Sequence, residues 1–450
     1  MLNATTTSPH HWRYVSEGGA SIVFSYRGPP NIGFNGTVLR LRKVPRAPKD
    51  GHSKTPIVVE DEPDDPIIEY QQRCMEKLIP IEHLPRLESV LLDKAWLEEV
   101  SDVHDAFRPE SRTKHDCIDV TRKKGVLATD LVGTSGIAVE LKPKWGFMPS
   151  ATHLSEATRS IKTQTCRFCM HSRLKSHSGQ QVASGYCPMD LFSGDESRIT
   201  KAIHDLWDAW YLSEGTVNNL KVFVKGTVVR PSEAARMLDQ GYDSEQSIDV
   251  LRDIFTAALL PLLKDTPVLH LLSKFQRTLD PLDIEGLSKL WSSTQATAAT
   301  RFVNQNRSNS ESPNASELAP SSPIGVATEY FEVPEPTVDE WCNFIDTYLV
   351  QHPAMDHINP SPDNLRYYLL AYLLSATFKD CSVMLRLDLL RPGAENVSGE
   401  ADRVKVIDLD PKSISRLRKW EKTDQEIHLF NADQEPLGCI DQHAARNYLV

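Results

Sequence analysis

A chain of 450 residues is too long for one compact core, so two or more lobes are expected. Its 40% hydrophobic and 25% charged content is that of an ordinary globular protein, no apolar run nears the ~20 residues of a membrane helix, and the first residues lack the pattern of a secretory signal. A net charge of −11 argues against bulk nucleic-acid binding but leaves room for a local basic pocket.

The elements follow in chain order. Trp12–Ser16 and Ser21–Tyr26 read as strands joined by E-G-G-A, and a third strand spans Thr37–Leu41. Lys43–Pro66 reads as a loose loop, Glu69–Ile79 and Pro85–Glu98 as helices, and Arg108–Asp116 as a loop. Gly125–Leu131 and Gly136–Lys142 read as strands, with the lobe boundary at Asp130–Ser135. This gives an N-terminal lobe over 1–132 and a C-terminal lobe over 133–450. Ser197–Ser213 has helical apolar spacing and Ser197 as its expected N-cap. Gln246–Lys264 and Ile284–Trp291 are further helices. Ser292–Ile324 turns to Ser, Asn, Thr, Ala and Pro, the composition of a disordered insertion. A buried helix over Pro362–Phe378 then precedes strands at Lys379–Leu387 and Arg403–Ile407.

Four groups of residues carry possible chemistry. Gly18 and Gly19, in the first turn, let backbone N–H groups approach phosphate oxygens, and Arg40 stands on a nearby strand. In V-E-L-K-P-K-W-G-F, Glu140, Lys142 and Lys144 share five residues at a strand end, where Pro143 stops the ladder. The same charges would suit a protected edge strand. In C-R-F-C-M-H-S-R-L-K, a helix would align Arg167, His171 and Lys175. The rival reading there is zinc on Cys166, Cys169, His171 and Cys187. That spacing is not a standard set and His171 would crowd Cys169, so a cationic helix without zinc is expected. Finally, Asp380 opens one strand and Asp408 closes its neighbour, so both carboxylates can meet one magnesium-bound phosphate. Lys412, Arg416 and Trp420 follow at helical spacing. About seven basic groups around one cleft exceed the needs of ATP alone and fit a substrate with several phosphates.

The ordered set E-G-G-A-S, V-L-R-L-R-K, V-E-L-K-P-K-W-G-F, R-F-C-M-H-S-R-L-K, G-Y-C-P-M-D-L-F-S-G, N-N-L-K-V-F, K-D-C-S-V-M and V-I-D-L-D-P-K resembles the inositol-pentakisphosphate 2-kinase family, in its fungal form. The resemblance implies an α/β (α+β), two-lobed inositol-polyphosphate-kinase-like fold, distantly similar to protein kinases. It also implies ATP- and Mg2+-dependent phosphorylation of the 2-hydroxyl of inositol 1,3,4,5,6-pentakisphosphate, giving the hexakisphosphate, phytic acid. Carried over, Gly18, Gly19, Ala20, Ser21, Arg40, Glu140, Lys142 and Lys221 would serve the nucleotide. Lys144, Arg167, His171, Lys175, Asn218, Lys412, Arg416 and Trp420 would hold the inositide. Asp380 would be the base, Asp408 the magnesium ligand, and Lys142 a catalytic cation. Arg46, and one of Arg108 and Arg112, would also contact substrate.

This chain departs from the family pattern at Ser21, Lys221 and Trp420, where Asn, Arg and Tyr are common. Plant members hold a structural zinc in the C-terminal lobe, but Ser292–Trp341 lacks such a Cys/His set, so none is expected there. Another inositol-polyphosphate kinase and a degenerate inositide-binding protein stay open as alternatives. A protein kinase is disfavoured, since H-R-D and D-F-G are absent. The expected state is a monomer in the nucleus or cytoplasm, with reduced thiols and no membrane insertion.

Overall fold

A computed structural model of the chain describes residues 1–46, 62–133, 136–233, 248–294, 333–387 and 403–442. Twelve strands lie among them. β1 (Leu2–Asn3), β2 (Trp12–Glu17), β3 (Ser21–Tyr26), β4 (Thr37–Pro45), β5 (Leu87–Leu91), β6 (Asp116–Ile118) and β7 (Lys124–Thr129) make one sheet, ordered β1-β5-β7-β4-β3-β2 with β6 paired to β4. β8 (Ile137–Leu141), β9 (Leu220–Val224), β10 (Thr227–Val229), β11 (Ser382–Leu387) and β12 (Val404–Ile407) make a second, ordered β10-β9-β8-β11-β12. Every pairing is antiparallel except β1 with β5. The result is a mixed α/β architecture in which the longest helices share the larger core with the second sheet.

The sequence pattern explains each layer. In β8, Ile137, Val139 and Leu141 enter the larger core. Ala138, one face over, joins Leu131, Val132, Phe223 and Met384 in a small cluster, and Glu140 lies on that same face. The larger core is built by the helices Glu196–Leu212, Ile248–Asp265, Val268–Thr278, Val338–Gln351 and Leu365–Asp380. Trp12, Phe24 and Phe34 fill the smaller core under the first sheet. Residues Pro66–Arg73 form a helix between two strands of the first sheet, yet its Tyr70, followed by Cys74, Met75, Leu78 and Ile79, is buried in the larger core. Among the described residues no single helix is long and apolar enough to cross a membrane.

Several expectations need correction. β8 is the middle strand of its sheet, which removes the rival edge-strand reading of Glu140, Lys142 and Lys144. Leu87–Leu91 is a strand, not helix, because its backbone pairs with β7 and β1; the helix waits until Lys94, where Asp93 accepts the Trp96 N–H. The expected loop at Arg108–Asp116 contains a short helix, Glu110–Thr113, and its last residue starts β6. Asp195, not Ser197, caps the helix Glu196–Leu212: it accepts the Arg198 N–H, and Ser197 donates to it instead. Helix persists through 292–294, and 295–324 of the proposed insertion lies outside the described residues. Residues 134–135 of the proposed boundary also lie outside them.

Candidate active site

A cleft of about 810 Å³ opens between the two sheets. Its lining includes all eight residues assigned to the nucleotide: Gly18, Gly19, Ala20, Ser21, Arg40, Glu140, Lys142 and Lys221. Asp380, Asp408, Lys412 and Arg416 line it too. At neither Gly18 nor Gly19 would a Cβ meet anything within 4 Å, and neither has a positive φ. Protein contacts therefore do not require glycine there, which is consistent with room kept for a ligand.

The base of this turn is held by a buried charge cluster. Glu17 pairs with Lys43 at 3.2 Å and with Arg108 at 2.8 Å. Arg108 also binds Asp116 at 2.5 Å and Asp105 at 3.1 Å, and its side chain is fully buried. Arg108 is thus a fixture of the turn rather than a free substrate contact. Arg46 pairs with Asp105 at 2.8 Å, and Arg112 is exposed on the short helix.

At the end of β8 the charges interlock. Glu140 accepts from Lys221 at 2.8 Å and from the Ser382 hydroxyl at 3.0 Å. Lys142 Nζ lies 3.4 Å from Asp408 and 3.8 Å from Glu140. Burial alone would depress the Lys142 pKa, but Asp408, Glu140 and Asp380 outweigh it and raise it. The Ser382 hydroxyl also lies 3.2 Å from Asp408, the alternative acceptor for its single proton, so the two β11–β12 ends do meet as expected.

Asp380 differs in detail from its sequence reading. It closes the helix Leu365–Asp380 instead of opening β11. Its Oδ1 accepts from Lys144 at 3.1 Å and its Oδ2 from Lys412 at 3.0 Å. Burial would raise its pKa, but these two ammonium groups hold it down at about 2. Lys144 and Asp408 both sit in left-handed backbone, with φ of 65° and 62°. Such conformations cost energy for residues with a Cβ and gather at functional sites. The Lys144 turn is anchored by one buried amide. Gln276 Nε2 donates to the carbonyls of Lys144 (3.0 Å) and Phe378 (2.9 Å), and its Oε1 accepts the Gly146 N–H at 2.6 Å.

A second basic group adjoins Lys144. The helix Arg167–His177 carries Arg167, His171 and Lys175. Burial first, then Lys175, Arg167 and Lys144, pushes the His171 pKa down to about 4. Burial, Lys144 and Arg167 also depress Lys175. Mutual repulsion of this kind marks a cluster of cations. Arg167 is partly committed: its Nε lies 2.9 Å from Asp424, and its guanidinium stands 5.5 Å from the Trp145 ring.

The other inositide candidates are less uniform. Lys412, Arg416 and Trp420 do not share one helix face. Lys412 precedes the 3-10 turn Ile414–Arg416, and the helix proper is Leu417–Asn431, because Pro411 and the Ser413 cap delay its start. Trp420 packs on Tyr372 with ring centroids 6.0 Å apart. Asn218 is exposed and does not line the cleft; its neighbour Asn219 is the residue that binds the Lys142 carbonyl, at 3.2 Å.

Three features escaped sequence reasoning. Asp410, within the noticed D-L-D, lines the cleft beside Asp408. Gln276 had no motif to announce it. Lys379, beside Asp380, is buried against Asp280 at 2.6 Å, with its Nζ 4.0 Å from the Trp145 ring centroid.

A family model for inositol-pentakisphosphate 2-kinase matches residues 14–426. An inositol-pentakisphosphate 2-kinase of Cryptococcus neoformans var. neoformans serotype D is 33% identical over 433 residues, covering 94% of this chain and 93% of the relative. The Arabidopsis thaliana protein of that name is 25% identical over 485 residues, covering 96% and 95%. One from Oryza sativa subsp. indica is 26% identical over 471 residues, covering 93% of each. With the match spanning both sheets and the cleft between them, the chain belongs to the inositol-pentakisphosphate 2-kinase family.

Proposed function

We infer that this protein transfers the terminal phosphoryl group of ATP to the 2-hydroxyl of inositol 1,3,4,5,6-pentakisphosphate, giving inositol hexakisphosphate. The observation that carries the reading is the position of Asp380. It stands where the cleft lined by the glycine turn meets the group of Lys144, Arg167 and Lys175 with the neutral His171 among them. A nucleotide on one side and a polyphosphate on the other would meet at this carboxylate.

The residues divide the work as follows. The Gly18–Ser21 turn and Arg40 receive the nucleotide phosphates, and Lys142 adds positive charge. The Glu140–Lys221 pair fixes that wall. Asp408 and Asp410 offer the hard carboxylate oxygens that magnesium takes, and magnesium held there would neutralise charge on the nucleotide phosphates. Lys144, Lys412, Arg416 and the helix Arg167–His177 neutralise the inositide phosphates.

Asp380 is ionised but a weak base while two lysines hold it. Phosphates that draw Lys144 and Lys412 away would raise its basicity. Its free oxygen would then accept the hydroxyl proton as the new bond forms. Positioning and charge neutralisation supply most of the acceleration in such transfers.

The test is incubation with ATP, magnesium and the pentakisphosphate, followed by chromatographic identification of the product. A diphosphate formed on one of the existing phosphates instead of an ester at the 2-hydroxyl, or no product, would defeat the reading.

A further inference from the structure

Arg167 is a cation in an unfavourable place. It opens the helix Arg167–His177, whose first N–H groups carry partial positive charge, and Lys144 and Lys175 stand nearby. Repulsion would swing so long a side chain out into water. Two neighbours oppose this. The helix Leu417–Asn431 packs on this one, with Ile427 against Met170 and Ile161, and it delivers Asp424, only 7% exposed. Asp424 Oδ1 lies 2.9 Å from Arg167 Nε, and its Oδ2 lies 2.7 Å from Lys162 Nζ. Lys162 closes the helix Glu156–Lys162, is buried, and also binds Asp283 at 2.8 Å. The Trp145 ring, 5.5 Å from the guanidinium carbon, gives Arg167 a flat rest.

We propose that Asp424, anchored by Lys162, is a positioning residue that holds the Arg167 guanidinium ready for a phosphate of the inositide. This rests on the reading of Arg167 as an inositide contact. A carboxylate that met the phosphates directly would repel them, so its place is behind the arginine. Asp424 meets Arg167 at Nε, which leaves the two terminal nitrogens of the guanidinium for phosphate oxygens. Lys162 holds the second carboxylate oxygen, so Asp424 cannot follow the guanidinium outward. Burial would lower the Lys162 pKa, but Asp283 and Asp424 outweigh it and raise it, so the anchor stays charged at neutral pH. An arginine already held in place gives up less freedom when the ligand arrives. The negative charge of Asp424 also repels the inositide at long range, and that part acts whether or not Arg167 is present.

The test is a double-mutant cycle on the full chain, read as calorimetric dissociation constants for inositol 1,3,4,5,6-pentakisphosphate at one pH and salt concentration. Asp424→Asn keeps the shape and an acceptor for Lys162 but removes the charge that holds Arg167. With Arg167 present it should weaken binding about fivefold or more, and in Arg167→Ala by less than about twofold. Lys162→Gln, which loosens Asp424 without touching Arg167, should show the same dependence on Arg167. The dissociation constant for ATP should stay within about twofold in every variant, which a general loss of structure would not allow. Equal weakening in both backgrounds, tighter binding in Asp424→Asn, or a matching loss of ATP binding would overturn the proposal alone. A wild type that does not bind the pentakisphosphate would overturn the proposed function and this inference with it.

Discussion

Gln276→Glu isolates the buried amide that sets the spacing between Lys144 and Asp380. Gln276 is 0% exposed, and its two donor bonds go to the carbonyls of Lys144 and Phe378. Glutamate keeps the volume and can still accept the Gly146 N–H. As a carboxylate it has no donor, and it faces two carbonyl oxygens. It avoids that conflict by remaining protonated, so its folded pKa rises far above the unfolded value of about 4.3. Between the two pKa values the unfolded chain releases a proton that the folded chain keeps. Stability of the variant therefore falls as pH rises, by about 1.4 kcal/mol per unit. With a folded pKa above 7.5, the penalty is about 2 kcal/mol at pH 6 and about 4 kcal/mol at pH 7.5, beyond any pH-independent loss. Paired urea titrations of wild type and variant at both pH values measure the gap, with Gln276→Leu as a control that cannot ionise. A gap that does not widen toward pH 7.5, or one that widens equally in Gln276→Leu, would refute the reasoning.

Other consequences are testable in the same preparations. Asp380→Asn should lower kcat by about 10²–10⁴ without weakening inositide binding, since Lys144 and Lys412 lose their counter-charge; rapid-quench rates and calorimetry measure the two separately. Arg108→Met should leave buried Glu17 short of a partner, costing about 3–5 kcal/mol of stability and raising KM for ATP more than for the inositide, read by denaturation and initial rates. His171, held at about 4, is neutral at pH 7 in the free protein; since its unfolded value is higher, its contribution to stability is present above about 6.5 and is lost as pH falls toward 4. Bound phosphates should raise that pKa, so near pH 6 the wild type should take up more protons on binding than His171→Asn, seen as a difference between the two in the dependence of calorimetric heat on buffer ionisation enthalpy, over the phosphates' own titration common to both.

The three-strand start of the chain, the long helices and the β11–β12 unit were readable because their local periodicity agrees with their tertiary setting. Leu87–Leu91 misled because its apolar spacing also fits a helix; only the partners β1 and β7 decide it. The edge-strand alternative for Glu140 stayed open in the sequence since nothing local reveals that β9 and β11 flank it. The residues assigned to the nucleotide line one cleft because their motifs lie on neighbouring strands of the two sheets. Gln276 was not, because a single buried amide acts through three carbonyl and amide groups far along the chain. The place of Cys439 stayed hidden for the same reason: its sulfur lies within 4.8 Å of those of Cys166, Cys169 and Cys187, yet no spacing rule joins it to them.

The helix Pro66–Arg73 and the turns after it bear on how the protein is made. Cys74 and Cys342 lie with their sulfurs 3.3 Å apart across 268 residues of sequence, and Tyr70 packs on Trp341 with ring centroids 6.1 Å apart. During translation at about 5–20 residues per second, Tyr70, Met75 and Ile79 must wait roughly 15–50 s for the helix Val338–Gln351 to be synthesised. The first sheet can pair its own strands in that interval while the apolar segment emerging from it has no surface to cover it. Nascent chains stalled before residue 338 should therefore be the form most in need of a chaperone.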